Sequence, residues 1–200
     1  MQWYENEVSN LEEQIRHGDI PKGHNLFYGS SSLTLWEGLQ DAMMPHNTAS
    51  VAFGGSTLEA CNYFFERLVV PLQPRSLIFY AGDNDIGDGR YHSDVMAEFE
   101  KLLIKRSKYL PGIRFTFISV KPSPARHHYL HRIRLLNNYV KDRLEGISNT
   151  FYLDIHSSML TADGMPDGTL YLEDGLHMNA KGYALWQKLL HENAQRIFQS

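Results

Sequence analysis

The 200-residue chain has one cysteine, Cys61. This excludes an internal disulfide and any cysteine-rich metal site, and it fits a reducing compartment. No stretch approaches the roughly 20 apolar residues that a membrane span requires. The amino terminus, Met1-Gln2-Trp3-Tyr4-Glu5, lacks the basic and then apolar segments of a secretory signal. A cytoplasmic protein with no membrane span is therefore expected. A basic excess is missing too. Lys and Arg total 19 against 23 Asp and Glu, a formal net charge of -4, so no nucleic-acid partner is indicated. The basic residues between Lys101 and Lys108 follow a helical pattern and read as a solvated face. There is no internal repeat, low-complexity tract or linker. What remains is ordinary globular composition, 42% hydrophobic and 21% charged, at a length that predicts one domain over residues 1–200.

Along the chain, apolar runs alternate with helical patterns. Val8, Leu11 and Ile15 predict an N-terminal helical extension over about 4–17, ended by Gly18, Pro21 and Gly23. Short strands are expected at 25–28 and 50–53, each stopped by glycine. The serines after Gly29 offer N-caps for a helix through about Asp41, and Ser56 or Thr57 offers one for a helix with Leu58, Cys61, Phe64, Phe65 and Leu68 on its apolar side. The run 76–81 is continuously apolar, as in a strand buried on both faces of a parallel sheet. A helix at 92–109, a strand at 114–120, a helix at about 126–144 and a strand at 150–155 follow. A long irregular stretch then leads to a closing helix at 180–198. This alternation predicts an α/β protein with a five-stranded parallel sheet flanked by helices. Ligands in such sheets lie beyond the C-terminal strand ends, where Gly29, Gly54, Gly82 and Lys121 all fall.

Four polar patches occupy those ends. Gly29-Ser30-Ser31-Ser32 follows the first strand, and Ser31 is the candidate nucleophile. A helix start there would favour developing negative charge, although Ser30 and Ser32 compete and a triple-serine turn with no chemistry is the plain alternative. Asp174-Gly175-Leu176-His177 supplies a candidate acid and base. A serine hydroxyl needs a base, and a single turn brings Asp174 to one ring nitrogen of His177, leaving the other free. His156, after the last strand, is a competing base. Gly55 and Asn84 suit an oxyanion hole, the first through an unobstructed N–H and the second through a neutral side-chain donor. Both residue types also serve as turn formers. Asp83, Asp85 and Asp88 lack calcium-loop spacing, and His127, His128 and His131 have no acidic companion at helical spacing. No metal or cofactor is expected.

In the same order, these patches resemble the blocks of the SGNH hydrolase superfamily, the GDSL-type esterases and lipases. Phe27-Tyr28-Gly29-Ser30-Ser31-Ser32 is similar to the first block, Phe53-Gly54-Gly55-Ser56 to the second, Gly82-Asp83-Asn84-Asp85 to the third and Asp174-Gly175-Leu176-His177 to the last. The resemblance implies a flavodoxin-like three-layer α/β/α sandwich, with Ser31 as nucleophile and Asp174 and His177 completing the triad. It also implies that Gly55 and Asn84 stabilise the oxyanion. One departure stands out, because Ser30 occupies the place where the family usually has Asp. The implied activity is hydrolysis of a small-molecule carboxylic ester, short-acyl or acetyl, through an acyl-enzyme. The alternative is a catalytically weak or silent ligand-binding domain on the same fold.

Overall fold

A computed structural model describes residues 1–199. Its centre is one sheet of five parallel strands: β1 (Asn25–Gly29), β2 (Thr48–Ser50), β3 (Ser76–Tyr80), β4 (Arg114–Ile118) and β5 (Thr150–Leu153). The order across the sheet is β2-β1-β3-β4-β5. Every residue of β1 and β3 is buried, which explains why their sequences are apolar without alternation: both faces are covered.

The pleat sends alternate side chains to two layers. Leu26, Tyr28, Leu77, Phe79, Phe115 and Phe117 join one cluster. Their partners come from α1 (Glu5–His17), α4 (Leu58–Leu68), α6 (His92–Tyr109) and α7 (Leu130–Glu145). Phe27, Ile78, Tyr80, Ile118 and Leu153 point the other way. They pack against the short α2 (Ser31–Thr34) and α3 (Leu39–Ala42), with α8 (Ala180–Glu192) and α9 (Ala194–Ile197) beside them. The remaining helix, α5 (Asp83–Gly87), starts directly after β3. The N-terminal helix is tied down by Arg67 of α4, which pairs with Glu5 at 3.0 Å and Glu12 at 2.6 Å. Among the described residues, no helix is long and apolar enough to cross a membrane.

Several expected elements are corrected. The helix after Gly29 is two short pieces, because the chain leaves helical geometry at Leu35 and turns through left-handed Gly38. The closing helix likewise breaks at Asn193. The second strand lies earlier than expected, at Thr48–Ser50, although Val51 and Phe53 still donate their N–H groups to Phe27 and Gly29. The helix expected from about residue 126 begins at Leu130 and is preceded by a 3-10 segment, Pro124–Tyr129. Arg106 is not on a solvated face. It is buried, and its guanidinium donates to the carbonyls of Ile113 and Ser148.

The chain reverses its direction of travel across the sheet between β1 and β3. β2 lies on one side of β1, whereas β3, β4 and β5 follow on the other. A crevice at the C-terminal ends of strands at such a switch point is the expected ligand position. Ser31 and Asn84 lie in the first turns of α2 and α5, the helices that follow β1 and β3.

Candidate active site

Ser31 opens α2 immediately after β1. Gly29 makes the approach possible: its φ is 144°, and a Cβ there would stand 1.8 Å from the Tyr80 carbonyl oxygen. The neighbouring Ser30 N–H donates to that same oxygen at 3.0 Å. Ser30 is buried in the N-cap position, but its hydroxyl caps nothing. Ser32 is buried as well, and Ser31 is the half-exposed member of the three. Exposure therefore separates serines that spacing left open.

The Gly54-Gly55 turn is held from outside by the N-terminal segment. The Gly54 N–H donates to the Glu7 carboxylate, with both oxygens at 3.0 Å. The Tyr4 hydroxyl donates to the Gly55 carbonyl at 3.2 Å, and the Tyr4 ring packs edge-on against Phe53. The Gly55 N–H has no acceptor among the described residues, and the residue is exposed. Thr57, not Ser56, caps the following helix, accepting from the Ala60 N–H at 3.2 Å.

Asn84 lies in the first turn of α5. Its Nδ2 donates to the Ser56 carbonyl at 3.1 Å, which joins the second and third blocks. Its neighbours Asp83 and Asp85 are both buried and serve the scaffold. Asp83 accepts a hydrogen bond from Lys121 Nζ at 2.6 Å on one oxygen, and the Arg126 guanidinium lies 2.6 Å from the other as an ion pair without hydrogen-bond geometry. Burial pushes the Asp83 carboxyl up, but the two cations outweigh it and hold it below the usual range. Asp85 accepts the Leu58 N–H at 2.9 Å at the start of α4. Burial raises its pKa to about 6 despite that bond and the nearby Arg90.

Asp174 and His177 meet as the spacing predicts. One Asp174 oxygen accepts the N–H groups of Leu176 and His177, both at 2.9 Å, and the other lies 2.6 Å from His177 Nδ1. Those two backbone bonds and the imidazole bond lower the Asp174 pKa to about 2. An ionised carboxylate only accepts, so Nδ1 carries the proton, and the neutral ring presents Nε2 as an acceptor. Asp174 does not cap the closing helix. Asn179 does, accepting from Lys181 and Gly182 N–H groups. The competitor His156 is buried, with Nδ1 on the Val120 carbonyl at 3.1 Å, and burial lowers its pKa.

The fourth block reaches the third through the 121–126 loop. The Ala125 N–H donates to the Gly175 carbonyl at 3.0 Å, and the adjacent Arg126 donates to Asn84 Oδ1 at 3.2 Å. Among the described residues, neither Ser31 Oγ nor His177 Nε2 makes a hydrogen bond, so these two are not engaged with each other. No cluster of three or more His, Cys, Asp or Glu side chains suited to a metal is found among the described residues. A surface hollow lined by Lys141, Phe151 and Arg196 includes none of these residues. Sequence reasoning missed Glu7 and Tyr4, and Lys121 stood at a strand end without an assigned role.

A five-stranded parallel sheet flanked by helices, with these four blocks in order along the chain, defines the class of protein. The GDSL-like Lipase/Acylhydrolase family matches residues 24–185, and the chain belongs to that family of esterases and acylhydrolases. No curated protein matches the chain in sequence. Similar solved structures include a Streptococcus pneumonia protein described as a platelet activating factor, 17% identical, with a TM-score of 0.82 over 96% of this chain and 94% of that one. A GDSL-like lipase from Bacteroides thetaiotaomicron is 16% identical, with a TM-score of 0.78 over 94% and 98%. An acetylxylan esterase from Geobacillus stearothermophilus is 13% identical, with a TM-score of 0.67 over 90% and 97%. At these identities the likeness shows the fold.

Proposed function

We propose that the chain is a serine esterase that hydrolyses a short-acyl or acetyl carboxylic ester through an acyl-enzyme at Ser31. The observation that carries this reading is the Asp174–His177 pair, whose 2.6 Å contact leaves Nε2 as the free acceptor. In the reaction His177 Nε2 takes the Ser31 proton as Oγ attacks the ester carbonyl carbon. Negative charge collects on the carbonyl oxygen, and the N–H groups of Ser31 and Gly55 with Asn84 Nδ2 receive it. The imidazolium, stabilised by Asp174, returns its proton to the leaving alcohol. Water, deprotonated by His177, then attacks the acyl-enzyme carbonyl and releases the acid and free Ser31. The serine–histidine bond absent from the free site forms as substrate docks, since catalytic hydrogen bonds commonly tighten only in the complex.

The exposed Gly55 and half-exposed Ser31 support a site near the surface, suited to a small acyl group on a larger alcohol. The whole chain acts as one hydrolase domain, its N-terminal helix bracing the Gly54-Gly55 turn. The cytoplasm remains its expected setting. Hydrolysis of p-nitrophenyl acetate tests the proposal: the wild-type protein should turn it over, and Ser31→Ala should abolish turnover while leaving the circular dichroism spectrum unchanged. Ser31 Oγ makes no hydrogen bond among the described residues in the free site, so removing it should change stability by no more than about 0.5 kcal/mol. Full activity in pure S31A would overturn the mechanism. A wild-type protein that binds esters without turnover would favour a ligand-binding domain.

A further inference from the structure

Asn84 can contribute to an oxyanion hole only with its amide turned one way. Nδ2 has two protons, and one is committed to the Ser56 carbonyl at 3.1 Å. The second is available to a substrate oxygen only while Oδ1 faces away. Facing Oδ1 is Arg126, whose Nη2 donates to it at 3.2 Å. A flipped amide would set two donor groups against each other and lose both bonds.

Arg126 is itself fixed. Its Nη1 lies 2.6 Å from Asp83 Oδ1, while Lys121 occupies the other Asp83 oxygen. The guanidinium lies against α5 at Gly87, where a Cβ would stand 2.5 Å from Arg126 Cζ. One terminal nitrogen thus donates to Asn84 and the other faces Asp83 as an ion pair, and the side chain is mostly buried at 15% exposure. The bond to Oδ1 is charge-assisted, and it draws electron density from the amide so that the remaining N–H donates more strongly.

We infer that Arg126 is a positioning residue for the reaction, fixing and polarising the Asn84 amide that receives the developing oxyanion. The inference rests on the esterase reading of the site. The same loop extends the effect to the base, because the Ala125 N–H holds the Gly175 carbonyl inside the Asp174–His177 turn. One segment thus keeps the oxyanion donor and the triad turn in register.

A double-mutant cycle on p-nitrophenyl acetate hydrolysis tests this, using the wild type, Ser31→Ala, Asn84→Ala, Arg126→Met and the N84A/R126M pair. R126M should lower kcat about tenfold with KM little changed, as for loss of one charge-assisted hydrogen bond. The double variant should turn over at the N84A rate, because Arg126 has nothing left to position. A general disturbance of the fold would instead lower kcat by the same factor in both backgrounds, and that result overturns the inference. So does an unchanged kcat in R126M. If R126M does not hold its fold by circular dichroism, Arg126→Lys takes its place in the cycle. It keeps a cation beside Asp83 without the two-pronged donor, and the same two outcomes apply. In every case S31A must be inactive. An active S31A overturns the esterase reading and this inference with it, whereas an inactive S31A with additive losses overturns the inference alone.

Discussion

Replacing Asp83 with Asn should destabilise the protein far more than replacing Lys121 with Met, although the two side chains share one hydrogen bond. The cluster holds one carboxylate and two cations, with side-chain exposures of 5% for Asp83, 2% for Lys121 and 15% for Arg126. D83N removes the only anion and leaves an ammonium and a guanidinium facing a neutral amide in a dry site. Breaking a buried pair in this way costs about 3–5 kcal/mol. K121M instead removes the surplus cation. The Asp83–Arg126 pair survives, and a flexible apolar side chain fills similar space, so the cost should be roughly 1 kcal/mol, near that of one hydrogen bond. For a chain of this size each kcal/mol moves Tm by about 2–4 °C. Thermal unfolding followed by circular dichroism at pH 7 should therefore show D83N melting roughly 10 °C below wild type and K121M within a few degrees of it. Equal losses would refute the charge argument and make the cluster an ordinary set of hydrogen bonds.

Three other outcomes are expected. Asn84→Ala should lower kcat about 100- to 1000-fold with KM little changed, since its bond to oxygen strengthens as charge develops; steady-state kinetics showing an effect confined to KM would assign Asn84 to ground-state binding. His177→Ala should lose nearly all turnover while His156→Ala keeps its kcat, and the opposite ranking would move the base to the end of β5. Stability should depend on Asp85 with a definite sign. Its pKa rises from 3.8 to about 6 on folding, so between those values the folded state binds more protons than the unfolded state. Stability then falls as pH rises through that window and levels off above it. Urea unfolding at pH 4, 5, 6 and 7 should show that slope flattened in Asp85→Asn, and an unchanged slope would contradict the assignment.

The middle of the sheet was legible because β1 and β3 are buried on both faces. The run Ser76–Tyr80 has no polar alternation to confuse with a helix and is bounded by Pro74 and Gly82. Helix interruptions were less legible. The pattern through Leu33, Trp36 and Leu39 continues across Gly38, and all three side chains reach the core even though the backbone between them is not helical. Burial was preserved while hydrogen bonding was not, and periodicity reports only the former. The same contrast governs the site. Asp174 and His177 are three residues apart, so a local turn brings them together and the sequence displays it. Arg126 reaches Asn84 across 42 positions, and Glu7 reaches Gly54 across 47. Those contacts depend on how helices and loops stack over the sheet, and no spacing rule records them. Arg106 shows the limit from the other direction: Lys101 and Lys108 of the same basic run are exposed, yet tertiary carbonyls draw it inward.

The most direct test of the central claim is covalent labelling of the wild-type protein with a fluorophosphonate, followed by intact-mass measurement and peptide mapping. A serine activated by His177 should displace fluoride and gain one phosphonyl group. The adduct should map to Ser31, and it should be absent from S31A and strongly slowed in H177A. An adduct on Ser30 or Ser32, or no adduct in a protein that still hydrolyses p-nitrophenyl acetate, would contradict Ser31 as the nucleophile.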